Sequence, residues 1–277
     1  MTADLFSRAA RRLRRDRAAA GWREHSFLRD EMLDGIAERL GAVTRSFTDA
    51  LDLGCFDGGF HPPPGVRMAR IDASARFASQ AGGVQGDEDR LPFADGAFDL
   101  VVSAGVLDQV NDLPGALTLV RRALRPDGLF VAAFLGAGSL PTLRAVLLEA
   151  EADRPAARIH PQIDVRSAGD LLARAGFAMP VADTETLTVR YSGLGRLLVD
   201  LRGMAATSLL ADRPYLSRAT LARAADAFAS RADPDGRTAE RFTIIYLTGW
   251  APAPTQAAPA QRGSATASLA DALRRAR

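Results

Sequence analysis

Apolar residues recur near helical spacing at Phe27, Leu28, Met32, Leu33, Ile36, Ala37 and Leu40, and Gly41 follows where such a helix would stop. This predicts a packing helix over 27–40 ahead of a sheet. The pattern then shortens to apolar runs bounded by glycine, proline and acidic residues, predicting buried strands at 50–53, 67–71, 98–103, 129–134, 187–189 and 242–248. Helical periodicity returns between them at 113–124, 140–152, 168–174, 194–204 and 218–229. Strands alternating with helices point to a parallel-rich α/β sheet covered on both faces.

The two ends of the chain read differently. Residues 7–17, SRAARRLRRDR, set Arg8, Arg11, Arg12, Arg14, Arg15 and Arg17 against Asp16 alone, with a narrow apolar face of Leu5, Ala9 and Leu13. We read 1–26 as a basic N-terminal helix, solvated and leading into the domain, rather than as a patch for RNA or anionic lipid. No secretory apolar stretch follows it. Beyond residue 250 the sequence APAPTQAAPAQR has no period that could bury a face, so 251–277 is expected to be a flexible tail.

At 277 residues the chain is long enough for one large domain with appendages, and no run approaches the 18 apolar residues needed to span a bilayer. One cysteine, Cys55, and three scattered histidines, His25, His61 and His160, leave no internal disulfide and no metal-ligand spacing. Lysine is absent, so Schiff-base chemistry on a lysine amine is excluded. The net charge of +2 gives no whole-molecule case for nucleic-acid binding, and none is expected.

The candidate chemistry begins at Asp52, on a short strand that runs into the glycine turn Gly54-Cys55-Phe56-Asp57-Gly58-Gly59, with Asp72 at the end of the next strand. Glycines let a backbone approach a ligand, and a carboxylate in the position of Asp72 can accept both ribose hydroxyls of a nucleoside. Asp87 and Glu88 follow near the end of an expected third strand, where a carboxylate can accept an adenine amino group. Cys55 reads as structural and His61 as a solvated loop residue. Trp22 and Trp250 read as packing anchors.

These residues resemble the class I S-adenosylmethionine-dependent methyltransferases, through LDLGC (51–55), Asp72, GDEDRLPF (86–93), FDLVVSAGVL (98–107) and LRPDGLF (124–130). The arginine-rich start, VNDLPGAL (110–117), IHP (159–161), DLRGM (200–204), YLTGW (246–250) and RGSAT (262–266) extend the likeness to the methyltransferase-like complex I assembly factor 5 family and its bacterial relatives. Malonyl-carrier methyltransferases share the core motifs and look less similar outside them. The resemblance implies a Rossmann-like fold with a mostly parallel seven-stranded sheet, helices on both faces and a helical cap inserted over 136–230, within a domain spanning 27–250. It implies S-adenosyl-L-methionine as cofactor, held by Asp52, Gly54, Asp57, Asp72, Asp87, Glu88 and Ala104, with Asp108 and His160 on the substrate side. It further implies a cytoplasmic protein, with peripheral contact at the inner membrane allowed, that modifies a protein partner such as a respiratory complex I subunit. No general base stands out, so no catalytic residue is assigned, and methyl transfer and arginine hydroxylation both stay open.

Departures from the family pattern carry as much information. Phe56 stands where a second glycine is usual, so its ring must either turn away from the cofactor or take part of its place. Pro62, Pro63 and Pro64 cannot continue a helix, so the first crossover helix is expected to be missing. Leu107-Asp108-Gln109 replaces a histidine and an aromatic residue beside the substrate pocket. The alternatives are a reshaped cofactor site and a non-catalytic assembly chaperone on the same fold.

Overall fold

The computed structural model describes residues 4–254, 256 and 274. Helix α1 (Arg8–Ala18), a 3-10 turn at Trp22–Glu24 and helix α2 (Phe27–Gly41) precede strands β1 (Asp49–Leu53) and β2 (Arg67–Asp72). Then come α3 (Ala75–Gln80), β3 (Val84–Gln85), β4 (Phe98–Ala104), α4 (Leu113–Ala123), β5 (Leu124–Leu135), α5 (Pro141–Ala150), α6 (Val165–Arg174), β6 (Ala178–Tyr191), α7 (Leu194–Gly203), α8 (Arg218–Ala229) and β7 (Thr238–Trp250). The strands form one sheet in the order β3-β2-β1-β4-β5-β7-β6. Pairings from β3 through β5 are parallel, and β7 runs antiparallel to both β5 and β6.

Period-two alternation sorts the central strands onto two packed faces. Leu51, Val101, Phe130 and Ala132 pack with Leu117, Val120 and Leu172 of α4 and α6. Ala50, Leu100, Val102 and Val131 pack on the other face with Met32 and Ile36 of α2, Leu143 of α5, Leu197 of α7 and Phe228 of α8. Every residue of β4 is buried, which its position between β1 and β5 requires. The strand order reverses between β1 and β4, so their carboxyl ends open the crevice where doubly wound folds place ligands.

Two features correct the sequence reading. Residues 136–230 are not a purely helical insertion: β6 from this stretch is the edge strand of the main sheet, α6 packs on the face of α4, and α5, α7 and α8 share the face of α2. Strand β6 is also far longer than 187–189. Its mixed composition, with Thr184, Glu185, Thr186 and Thr188 paired to β7 at the sheet edge, hides it from a search for apolar runs. The missing crossover helix is observed, because β1 and β2 are joined by turns around Gly54–Gly65 with no helix between them. The RGSAT segment at 262–266 and most of the expected tail lie outside the described residues.

Candidate cofactor and substrate site

Gly54 ends β1 at φ +78°, and its N–H donates to Ile71 O at 2.9 Å. A Cβ on Gly54 would lie 2.5 Å from Val106 Cγ1, so both the turn and the close approach require glycine. The turn carries the chain to Phe56, which is itself left-handed at φ +48°. The Phe56 N–H donates to Asp72 Oδ2 at 2.9 Å, and the Ser74 N–H donates to Asp72 Oδ1 at 2.7 Å. Asp72 is thereby fixed at the carboxyl end of β2. Asp87 and Glu88 follow β3, and Ala104, fully buried, ends β4. Asp52, Gly54, Asp72, Asp87, Glu88 and Ala104 thus all stand at or just beyond the carboxyl ends of β1 to β4.

The cleft at these strand ends is covered by helix α1, which sequence reasoning assigned to solvent. Arg8, Arg11, Arg12 and Arg15 recur at i, i+3, i+4 and i+7, so they share one helix face. That face points into the protein. Arg11 makes a bidentate pair with Glu88 at 2.6 and 2.7 Å, and Arg8 makes one with Asp89 at the same distances. Arg12 reaches Asp87 at 2.7 Å. Arg15 grips Asp72 through Nε, at 3.0 Å, and through Nη2. Arg15 and Arg11 are buried, whereas Leu5 and Leu13 of the supposed apolar face are 47% and 50% exposed. Helix α1 is therefore amphipathic in reverse, with its charged stripe inward. Burial alone would raise the Asp72 carboxyl, but Arg15 and the two backbone donors hold it below the usual carboxylate range.

Phe56 does not turn away from the cleft. Its ring stacks on Trp22 at 4.3 Å between centroids, meets Phe77 edge-on at 5.3 Å, and lies 3.8 Å beneath the Arg15 guanidinium carbon. Arg29, from α2, approaches the same ring and stands 3.5 Å from Asp52 Oδ1 and 3.9 Å from Asp57 Oδ1. Asp52 is completely buried, and neither carboxylate oxygen has a hydrogen-bond partner among the described residues. Burial, only partly countered by Arg29, pushes its carboxyl up to about 6. Burial also raises the Cys55 thiol well above its ordinary value, which makes it inert as a nucleophile.

The fit of S-adenosylmethionine follows from this geometry. The orphaned Asp52 carboxylate suits a ligand that donates hydrogen bonds. With α1 docked, however, the other carboxylates are taken by arginines and only about 30 Å³ stays open beside Phe56. The cofactor does not fit this closed arrangement. Helix α1, Arg29 and Trp22 are the site residues that sequence reasoning missed, and the arginine stripe at i, i+3, i+4 and i+7 was the signal that could have found them.

On the substrate side, a cavity of about 600 Å³ lies between the sheet edge and α5, α7 and the 204–216 segment, with Asp108 and His160 both in its lining. Asp108, in a 3-10 turn after β4, is pushed by burial up to about 6. His160 Nε2 accepts the Leu209 N–H at 2.7 Å, and burial, followed by the charge of Arg14, lowers its pKa to about 4. The ring is neutral at pH 7, with one nitrogen engaged by backbone. His61 is exposed on the proline loop, and Trp22 is a buried anchor.

Comparison with known proteins decides the family. Residues 51–132 match a family described as methyltransferase domain. The chain is 35% identical over 288 aligned residues to the arginine-hydroxylase NDUFAF5 of Danio rerio, covering 97% of this chain and 89% of that protein. The chain belongs to the NDUFAF5 family. Membership places it in the S-adenosylmethionine methyltransferase class of enzymes. A malonyl-acyl-carrier-protein O-methyltransferase from Laribacter hongkongensis is 29% identical, over 86% of this chain and 87% of its own length. The SAM-dependent methyltransferase structure from Thermotoga maritima superposes with a TM-score of 0.52 at 15% identity, over 87% of this chain and 99% of that one, and supports the class I fold.

Proposed function

We propose that this protein is an S-adenosylmethionine-dependent member of the NDUFAF5 family that acts on a protein partner, an arginine of a respiratory complex I subunit, during assembly of that complex. In this reading the acidic cleft is the cofactor site, and α1 holds it shut until cofactor displaces the arginines. The observation that carries the reading is that Asp52, Asp72, Asp87 and Glu88 all stand at the carboxyl edge of β1 to β3. The substrate face would be the cavity beside Asp108, next to the cleft. The partner meets a protein in which no described helix is long and apolar enough to cross a membrane, so contact with a membrane subunit would be peripheral. We place the encounter in the cytoplasm, at the membrane surface.

A second reading, a partner-holding role without cofactor, is favoured by the Phe56 ring and its stack on Trp22, which fill the space beside Asp72. Calorimetric titration of S-adenosylmethionine and S-adenosylhomocysteine separates the two readings. In the first, Arg11→Ala/Arg15→Ala binds cofactor at about micromolar level, at least about tenfold tighter than the unaltered chain, and adding Asp72→Asn abolishes it. No binding at about millimolar ligand to any of these proteins overturns it in favour of the second.

A further inference from the structure

Two cavities that the cofactor cleft does not use adjoin each other. The 600 Å³ cavity has a wall of leucines and one isoleucine, including Leu140, Leu143, Leu147, Ile159, Leu198 and Leu221, alongside polar lining that includes Asp108, Arg158, His160 and Gln162. It shares Asp108, Leu135 and Ala206 with the small void beside Phe56. It also shares Arg202, Thr207 and Arg213 with a second cleft of about 640 Å³. That second cleft is lined by Arg14 and Arg17 from the outer side of α1 as well as by Arg202 and Arg213.

The charge in this cleft is uncompensated. None of these four arginines makes an ion pair among the described residues, although ion pairs abound elsewhere on the molecule. Arg14 and Arg213 spend donors on the Ser208 carbonyl, and the Arg14 side chain is lowered from its ordinary pKa by burial and by Arg213. Arg17 and Arg202 are exposed, and neither side chain makes a hydrogen bond among the described residues. Guanidinium groups crowded together without carboxylates favour an anion, which each can hold through paired N–H donors. A leucine-walled chamber opening directly onto such a cluster matches one molecular design, an aliphatic chain ending in a negative group.

We propose that the two cavities form one binding site for a single-chain aliphatic carboxylate, with the chain among the leucines and the head between Arg202 and Arg213. Volume selects the single chain. At roughly 30 Å³ per water-sized group, 600 Å³ holds on the order of twenty non-hydrogen groups, one fatty-acyl chain and not a two-chain phospholipid. The cavity is the one the proposed function uses as its substrate face, so the proposal names what that face takes; because its test uses no S-adenosylmethionine, failure of fatty-acid binding leaves the cofactor reading in place.

The test is titration of the full chain with the fluorescent fatty acid 11-(dansylamino)undecanoic acid, followed by displacement. The expected result is saturable one-site binding at about micromolar level, displaced by hexadecanoate and about tenfold less effectively by hexadecanol, which lacks the charge. Arg202→Gln/Arg213→Gln, on exposed positions, weakens probe binding by about tenfold or more. Leu198→Trp, which fills the chamber and leaves the arginines in place, abolishes it. Absence of saturable binding, equal displacement by acid and alcohol, or binding insensitive to both variants overturns the proposal. So does association with phosphatidylglycerol vesicles in place of fatty-acid binding.

Discussion

Asp52 and Asp72 are neighbours in the cleft with opposite ionisation behaviour. Asp72 accepts four hydrogen bonds, two from Arg15 and one each from the Phe56 and Ser74 N–H groups, and is held ionised. Asp52 has no hydrogen-bond partner among the described residues, and burial pushes its carboxyl up to about 6. A carboxyl raised in the folded state binds its proton more tightly there than in the unfolded chain. Between pH of about 4 and about 6 the folded state therefore carries more protons, and stability falls as pH rises through that window. Asp52→Asn removes the penalty. Thermal unfolding should show the variant more stable at pH 7.5, by on the order of 2–3 kcal/mol, and equal to the parent near pH 4. A variant less stable at pH 7.5 would mean that Arg29 compensates the Asp52 charge in full.

At the scale of elements, α1 reverses the usual rule that a helix buries its apolar stripe. Arg15→Ala strands the buried Asp72 charge and should cost about 3–5 kcal/mol, whereas Leu13→Ser, on an exposed leucine, should stay within about 0.5 kcal/mol. Chemical denaturation of both variants checks the contrast, and a large loss for Leu13→Ser would contradict the inward arginine face. The same reversal explains what was legible in the sequence. Strands β1, β2, β4 and β5 and helices α4, α5, α7 and α8 were readable because burying apolar area leaves a periodic trace. The missing crossover helix was readable because Pro62, Pro63 and Pro64 have only one local meaning. Helix α1 was recognised as a helix but not placed, because the acids that bury its arginines stand roughly 60 to 80 positions away. Strand β6 and α3 were under-read for a related reason: their partners, and not their own composition, make them regular. At the candidate site the carboxylates were legible residue by residue, and their occupation by the protein's own arginines was a tertiary fact.

For the whole molecule, one helix connects three places. Its inner face closes the acidic cleft through Arg8, Arg11, Arg12 and Arg15, and its outer side lends Arg14 and Arg17 to the anion cleft beside the leucine cavity. Its N-terminal approach is tied down by the Phe6–Leu210 bridge and by the Ser7 N–H to Leu209 O at 2.8 Å, beside the backbone that His160 accepts. Docked, α1 leaves only about 30 Å³ open beside Phe56; the proposed function requires that its displacement expose Asp72, Asp87 and Glu88. The central claim is that α1 occupies the cofactor cleft in the resting protein and leaves it when cofactor binds. Hydrogen–deuterium exchange of the full chain, with and without saturating S-adenosylhomocysteine, reads this directly. The account predicts protected amides over Arg8–Ala18 without ligand and loss of that protection with it. Amides of α1 that exchange freely without ligand, or that stay equally protected with the cofactor product bound, would contradict it.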